Sequence, residues 1–133
     1  LDTRLELGVI LKEKGQYAQA ISHFEALLAQ QRLDANDASE ARFYVGEAYQ
    51  NMGEYRKAIE AYYKVSYHGA GGFSQWITSA DFQRAKCHES MGEYATAITV
   101  YERIVQREGG STPQGEMARE QITALRRRLG QLN

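Results

Sequence analysis

"GEYRKAIEAYYKV" runs from Gly53 to Val65, and the same design occurs as "GQYAQAISHFEAL" from Gly15 and as "GEYATAITVYERI" from Gly92. The three glycines lie 38 and 39 residues apart. Each has a small residue seven places upstream (Gly8, Gly46, Ala85) and a tyrosine two places downstream (Tyr17, Tyr55, Tyr94). An alanine follows at the fifth place (Ala20, Ala58, Ala97) and an aromatic at the ninth (Phe24, Tyr62, Tyr101). Position-by-position agreement at a fixed period is the signature of a repeat architecture.

Each unit reads as two antiparallel helices joined at its glycine. Helical patterns such as "ARFYVGEAYQNM" and "ADFQRAKCHESM" lead into the turn. A glycine just past a helix end supplies the left-handed conformation that other residues adopt only with strain. Glu54 and Glu93 then fall at the start of the following helix, where negative charge complements the macrodipole. The small residue before the turn and the alanine after it are expected face to face, allowing close helix approach, with the aromatic filling the gap toward the next repeat.

Composition agrees. With 133 residues the chain is one domain by size. A single proline, and few runs of Val, Ile or Thr, favour helix over strand. A net charge of -1 points to no generic electrostatic partner such as nucleic acid or an anionic membrane. No apolar run approaches the roughly 20 residues that span a bilayer. The chain opens on amphipathic sequence at Leu1 without a signal peptide, so an excised domain or processed form is expected.

These residues resemble the tetratricopeptide repeat (TPR) family. Leu7-Gly8, Gly15, Tyr17, Ala20-Ile21, Phe24 and Leu27-Leu28 carry the likeness in the first repeat. Val45-Gly46, Tyr49, Gly53, Tyr55, Ala58-Ile59, Tyr62 and Val65 carry it in the second, and Ala85, Gly92, Tyr94, Ala97-Ile98, Tyr101 and Ile104-Val105 in the third. The resemblance implies an all-α, right-handed superhelix of three helix-turn-helix repeats, spanning about 1–33, 34–72 and 73–110 within one domain of residues 1–133. The period exceeds the usual 34 residues, which implies extended helices or real loops at "RLDAND" and "YHGAGGFSQW". A capping helix over about 112–130 follows: Ser111 or Thr112 as N-cap, Pro113 at the first helical position, and Met117, Ile122, Leu125 and Leu129 as its apolar stripe.

Motifs that could carry chemistry are outweighed by structural readings. Cys87 and His88 adjoin, but neighbours on a helix point about 100° apart, and both fit the packing pattern. Cys87 is the single cysteine and has no metal-ligand spacing around it. His23 is expected at the surface and His68 in the second loop. "GAGG" at Gly69–Gly72 lacks the strand and partner residues of a phosphate loop. The run Arg126–Arg128 reads as solvated helix surface. No enzyme, metal or cofactor is expected.

TPR proteins line an inner wall with the first helix of each repeat. Carried over residue by residue, the resemblance places Leu5, Val9, Lys12 and Glu13 on that wall, then Phe43, Glu47, Gln50 and Asn51, then Phe82, Lys86, Glu89 and Ser90. TPR domains that clamp a C-terminal carboxylate have Lys and Asn where Leu5 and Val9 stand, and Asn at Glu47, so that mode is not expected. The wall suits an amphipathic helix or apolar peptide of a partner protein. Phe73 and Trp76 form a second candidate site, read as anchoring their loop. Self-assembly through repeat faces or the 68–76 loop is the alternative function. The extended repeats also resemble bacterial cell-envelope TPR proteins of the Tol-Pal-associated and outer-membrane assembly lipoprotein types, which would place the protein in the periplasm or envelope.

Overall fold

The computed structural model describes residues 3–67 and 74–132. Those residues form seven α-helices and no strand: α1 (Thr3–Glu13), α2 (Tyr17–Ala29), α3 (Ala35–Asn51), α4 (Tyr55–Tyr67), α5 (Ser74–Ser90), α6 (Tyr94–Glu108) and α7 (Pro113–Leu132). Each helix packs on the next in the chain, and α1 on α3 and α3 on α5 form an inner layer. No helix among the described residues is long and apolar enough to cross a membrane.

The three repeat glycines make the turns. Gly15, Gly53 and Gly92 have φ of 79°, 77° and 76°, a region where a Cβ is strained. Around Gly53, the amide of Gly53 donates to Gln50 O (3.0 Å) and that of Glu54 to Tyr49 O (2.9 Å). This double closure satisfies the orphan carbonyls of the helix end. Gly15 and Gly92 repeat it.

The long period comes mainly from long first helices, since α3 and α5 have 17 residues each. Much of "RLDAND" is therefore helix. Asp34 caps α3 by accepting from Asp37 N at 2.8 Å. The second loop's His68, Gly69–Gly72 and Phe73 lie outside the described residues.

The ninth-position aromatic packs in two directions. A Cβ built on Gly8 would lie 2.4 Å from the Phe24 ring, and one on Gly46 2.5 Å from the Tyr62 ring. The ring thus covers the small residue of its own repeat and also packs toward the next one: the Phe24 ring lies 5.5 Å from that of Tyr44, and Tyr62 shares a core with Ala80 and Cys87. Phe24, Tyr62 and Tyr101 are all fully buried.

At the C-terminal end, Ala118, Ile122 and Leu125 of α7 bury against Ala97, Ile98, Tyr101 and Ile104. Thr112 is the cap, its Oγ1 accepting from Gly115 N at 3.1 Å. Met117 does not belong to the buried stripe: it is 57% exposed. Ala118 takes the place assigned to it, because Ala118, Ile122, Leu125 and Leu129 follow the i, i+4, i+7, i+11 spacing of one helix face.

Candidate functional site

The wall positions expected from sequence divide into three groups. Leu5 is fully buried and belongs to the core of the first repeats, so it offers no surface. Its equivalents become progressively freer: Phe43 is 9% exposed, and Phe82 is half-buried. Val9 packs partly against the first core cluster.

A second group is satisfied within the chain. Lys12 Nζ reaches Glu47 Oε1 at 2.7 Å and stands 4.8 Å from the Tyr44 ring centre. Gln50 Oε1 accepts from the Tyr62 hydroxyl at 2.6 Å, and Glu89 Oε2 from the Tyr101 hydroxyl at 2.5 Å. Burial raises both phenol pKa values above the ordinary range, with the Glu89 carboxylate adding to the effect at Tyr101. Lys12, Gln50 and Glu89 occupy equivalent positions, so the residue type follows the aromatic it faces. Where the ring is Phe24, with no hydroxyl, a lysine that cannot accept takes the position.

The third group opens. Phe43, Phe82 and Lys86 share a cleft of ≈ 340 Å³ with Met117, Glu120 and Gln121 of α7. The structure thus brings three expected wall residues to one place and adds a helix that sequence reasoning had assigned only to capping. The missed signal was the i, i+3, i+4 spacing of Met117, Glu120 and Gln121, a face distinct from the buried one. Glu13, Asn51 and Ser90 are exposed at the helix ends, away from this cleft's lining.

Trp76 is fixed on α3. Its Nε1 donates to Asn36 Oδ1 at 2.8 Å, and its ring lies 5.6 Å from that of Phe43. Phe73, the other half of that candidate site, lies outside the described residues. His23 is half-buried at the surface, and its Nε2 donates to Arg4 O at 2.6 Å, tying α2 to α1.

Two further features were not foreseen. A larger cleft of ≈ 640 Å³ lies between α2 and α4, over Arg42, Val45 and Tyr49 of α3. At the equivalent junction between α4 and α6 the chain fills the space with charge. Asp81 is 1% exposed and receives Arg107 Nη2 at 2.9 Å, Ser66 Oγ at 2.9 Å and Arg84 Nη2 at 3.3 Å. Thr78 donates to Glu108 beside it.

Cys87 is fully buried, and burial pushes its thiol up to about 11. A thiol so placed is a poor nucleophile near neutrality. Among the described residues no group of three His, Cys, Asp or Glu side chains could hold a metal.

Paired helices stacked so that their first members form one wall define a helical-hairpin solenoid. The chain belongs to the tetratricopeptide repeat family, whose models match residues 5–73 and 79–111. No curated protein matches it in sequence. Its fold is similar to that of the Yersinia enterocolitica type III secretion chaperone SycD in complex with a peptide of the translocator YopD (TM-score 0.72, 20% identity, covering 96% of this chain and 93% of that one). It is similar also to PcrH in complex with the chaperone binding region of PopD (0.71, 19%, 96% and 92%). A putative kinesin light chain of Podosopora anserina matches as well (0.70, 17%, 96% and 66%). At these identities the likeness is one of fold, and it lends no support to the expected kinship with cell-envelope lipoproteins.

Proposed function

We propose that the protein is a non-catalytic scaffold that holds a peptide segment of a partner protein on its inner wall. The observation that carries this reading is the cleft at Phe43, Phe82 and Lys86, formed where equivalent wall positions of successive repeats meet α7. Large rings at the centre of an interface supply most of its energy, and a flanking charge sets orientation. SycD and PcrH, which share the fold, were solved with segments of other proteins bound. That use of the same architecture supports the reading.

The test is an affinity capture with the domain as bait, followed by binding isotherms of the captured partner against Phe82→Ala and Lys86→Glu. Phe82→Ala should weaken binding by roughly 1 to 3 kcal/mol. Equal affinity of both variants and the parent would refute the inner-wall site.

Self-assembly is the second reading, and one observation favours it. Leu7 and Ile10 on α1 are 51% and 41% exposed, whereas their equivalents Val45 and Ala48 are 6% and 0%. In the second repeat this face is covered by the helix before it, α2 packing on α3. Sedimentation at increasing concentration, with Ile10→Glu as control, tests it: a concentration-dependent shift that the variant abolishes would establish association through α1.

A further inference from the structure

Resting on the peptide-binding reading, we infer that α7 is the third wall of the groove, and that the groove takes an extended segment whose adjacent apolar side chains are bracketed by one acidic and one basic residue. The cap helix has two working faces. One, Ala118, Ile122 and Leu125, closes the core. The other presents Met117, Glu120 and Gln121 to the cleft.

The placement of Met117 is what distinguishes this face. A residue serving only the cap would bury its side chain, yet Met117 is more than half exposed while Ala118 beside it is fully buried. An unbranched, polarisable side chain adapts to varied apolar partners. Together with Phe43 and Phe82 it makes an apolar floor.

Size decides the conformation of the occupant. A cleft of ≈ 340 Å³ is at the small end of ligand pockets, which run about 300–1,000 Å³. An α-helix is about 10–12 Å across with its side chains, too wide to sink into such a space. An extended segment can insert its side chains while its backbone runs along the rim.

Charge decides the flanks. Lys86 on α5 and Glu120 on α7 line the same cleft, and neither has an ion-pair partner among the described residues. Elsewhere on the wall, Lys12 and Glu47 neutralise each other at 2.7 Å. The open pair is therefore complementary to an acidic residue on the α5 side and a basic residue on the α7 side.

The probe is a random twelve-residue peptide library displayed on phage, selected against the whole domain, with enriched peptides resynthesised for affinity measurement. Selected peptides should carry an apolar pair flanked by opposite charges. Their affinity should fall about tenfold on Met117→Gln, a change at an exposed residue whose effect on folding is checked by an unchanged thermal melt. A second selection on the doubly exchanged Lys86→Glu, Glu120→Lys domain should return peptides with the acidic and basic flanks in reversed order. Peptides that lose affinity on Phe82→Ala but ignore Met117→Gln and the charge exchange would overturn the role of α7 and leave the inner-wall reading standing. Peptides indifferent to all these changes, or no enrichment, would overturn both.

Discussion

The chain builds the same repeat-to-repeat junction twice and fills it in opposite ways. Between the first and second repeats, Leu28, Arg42, Val45 and Tyr49 leave an open cleft. Between the second and third, the same positions hold Ser66, Asp81, Arg84 and His88, and the space closes over buried ions. The backbone repeat tolerates either solution because helix stacking is set by the small residues, turn glycines and aromatics common to all three units. The difference lies in brittleness. An open junction loses contacts in proportion to what is removed, whereas a buried ionic one depends on every partner being present.

The most severe test removes the centre of the ionic junction. Asp81→Ala leaves Arg84, 6% exposed, without its carboxylate, and breaking a buried pair in this way costs roughly 3 to 5 kcal/mol. Arg42→Ala, at the equivalent place in the open junction, should cost about 1 kcal/mol or less. Removing the buried guanidinium together with the carboxylate, with Asp81→Leu and Arg84→Val, replaces the buried pair by apolar side chains and should recover at least about 1 kcal/mol relative to Asp81→Ala. Urea denaturation of the three variants measures the order. If the double variant proves less stable than Asp81→Ala, an apolar filling cannot replace the ions at this junction.

A milder test concerns the small residue under each ring. Gly46→Ala would place a Cβ 2.5 Å from two atoms of the Tyr62 ring and 2.9 Å from a third, and overpacking of this kind costs about 1 to 3 kcal/mol. The third repeat already holds Ala85 beneath Tyr101, so its spacing accommodates a methyl. Ala85→Gly should therefore destabilise by loss of contact and helix propensity, about 1 kcal/mol. Thermal melts showing Gly46→Ala stabilised would mean that the second hairpin can widen as the third does.

What sequence could and could not show follows from the same contrast. The helices and glycine turns were legible because they are written three times, and agreement at one period leaves little freedom. That Phe43, Phe82 and Lys86 would lie near one another was legible because the register carries over from repeat to repeat, and they line one cleft. Leu5 occupies the same register and is buried nonetheless: position in the repeat does not fix exposure when the neighbouring elements differ. The ion cluster was hidden, since Asp81 and Arg107 are 26 residues apart and each alone reads as surface charge. Met117 was misplaced by one residue, about 100° around the helix, because hydropathy favours a methionine over the alanine that is in fact buried.

Cys87 and Ala48 form a third pair of equivalent positions, both fully buried. Cys87→Ala should thus be tolerated within about 1 kcal/mol. With its thiol pushed up to about 11 by burial, Cys87 in the folded protein should react with a disulfide reagent at pH 8 about a hundredfold or more slowly than an ordinary thiol. Rapid native-state labelling would show that the third repeat opens readily.

The smallest expected effect belongs to a latch found at the second junction. Glu93, at the start of α6, takes His88 Nδ1 at 2.9 Å on one oxygen and Arg56 Nη2 of α4 at 2.5 Å on the other. At the first junction the equivalent of His88 is Tyr49, under Lys57 at 5.8 Å, and the equivalent of Arg56 is the uncharged Ala18. The His88 hydrogen bond, then that of Arg56, holds the Glu93 carboxyl below its ordinary range. A depressed folded-state pKa stabilises the fold above the unfolded value, about 4.3 for Glu, and this contribution is lost as pH falls through the folded value. The latch is partly exposed to solvent, so its worth is small. Glu93→Gln should lower Tm by about 1 to 2 °C at pH 7, with the gap from the parent protein narrowing as the pH is lowered below about 4. A gap that stays constant with pH would assign the loss to Glu93's place at the helix start and not to its ion pairs. A gap that widens in acid would reverse the sign of the linkage and remove the latch from the comparison altogether.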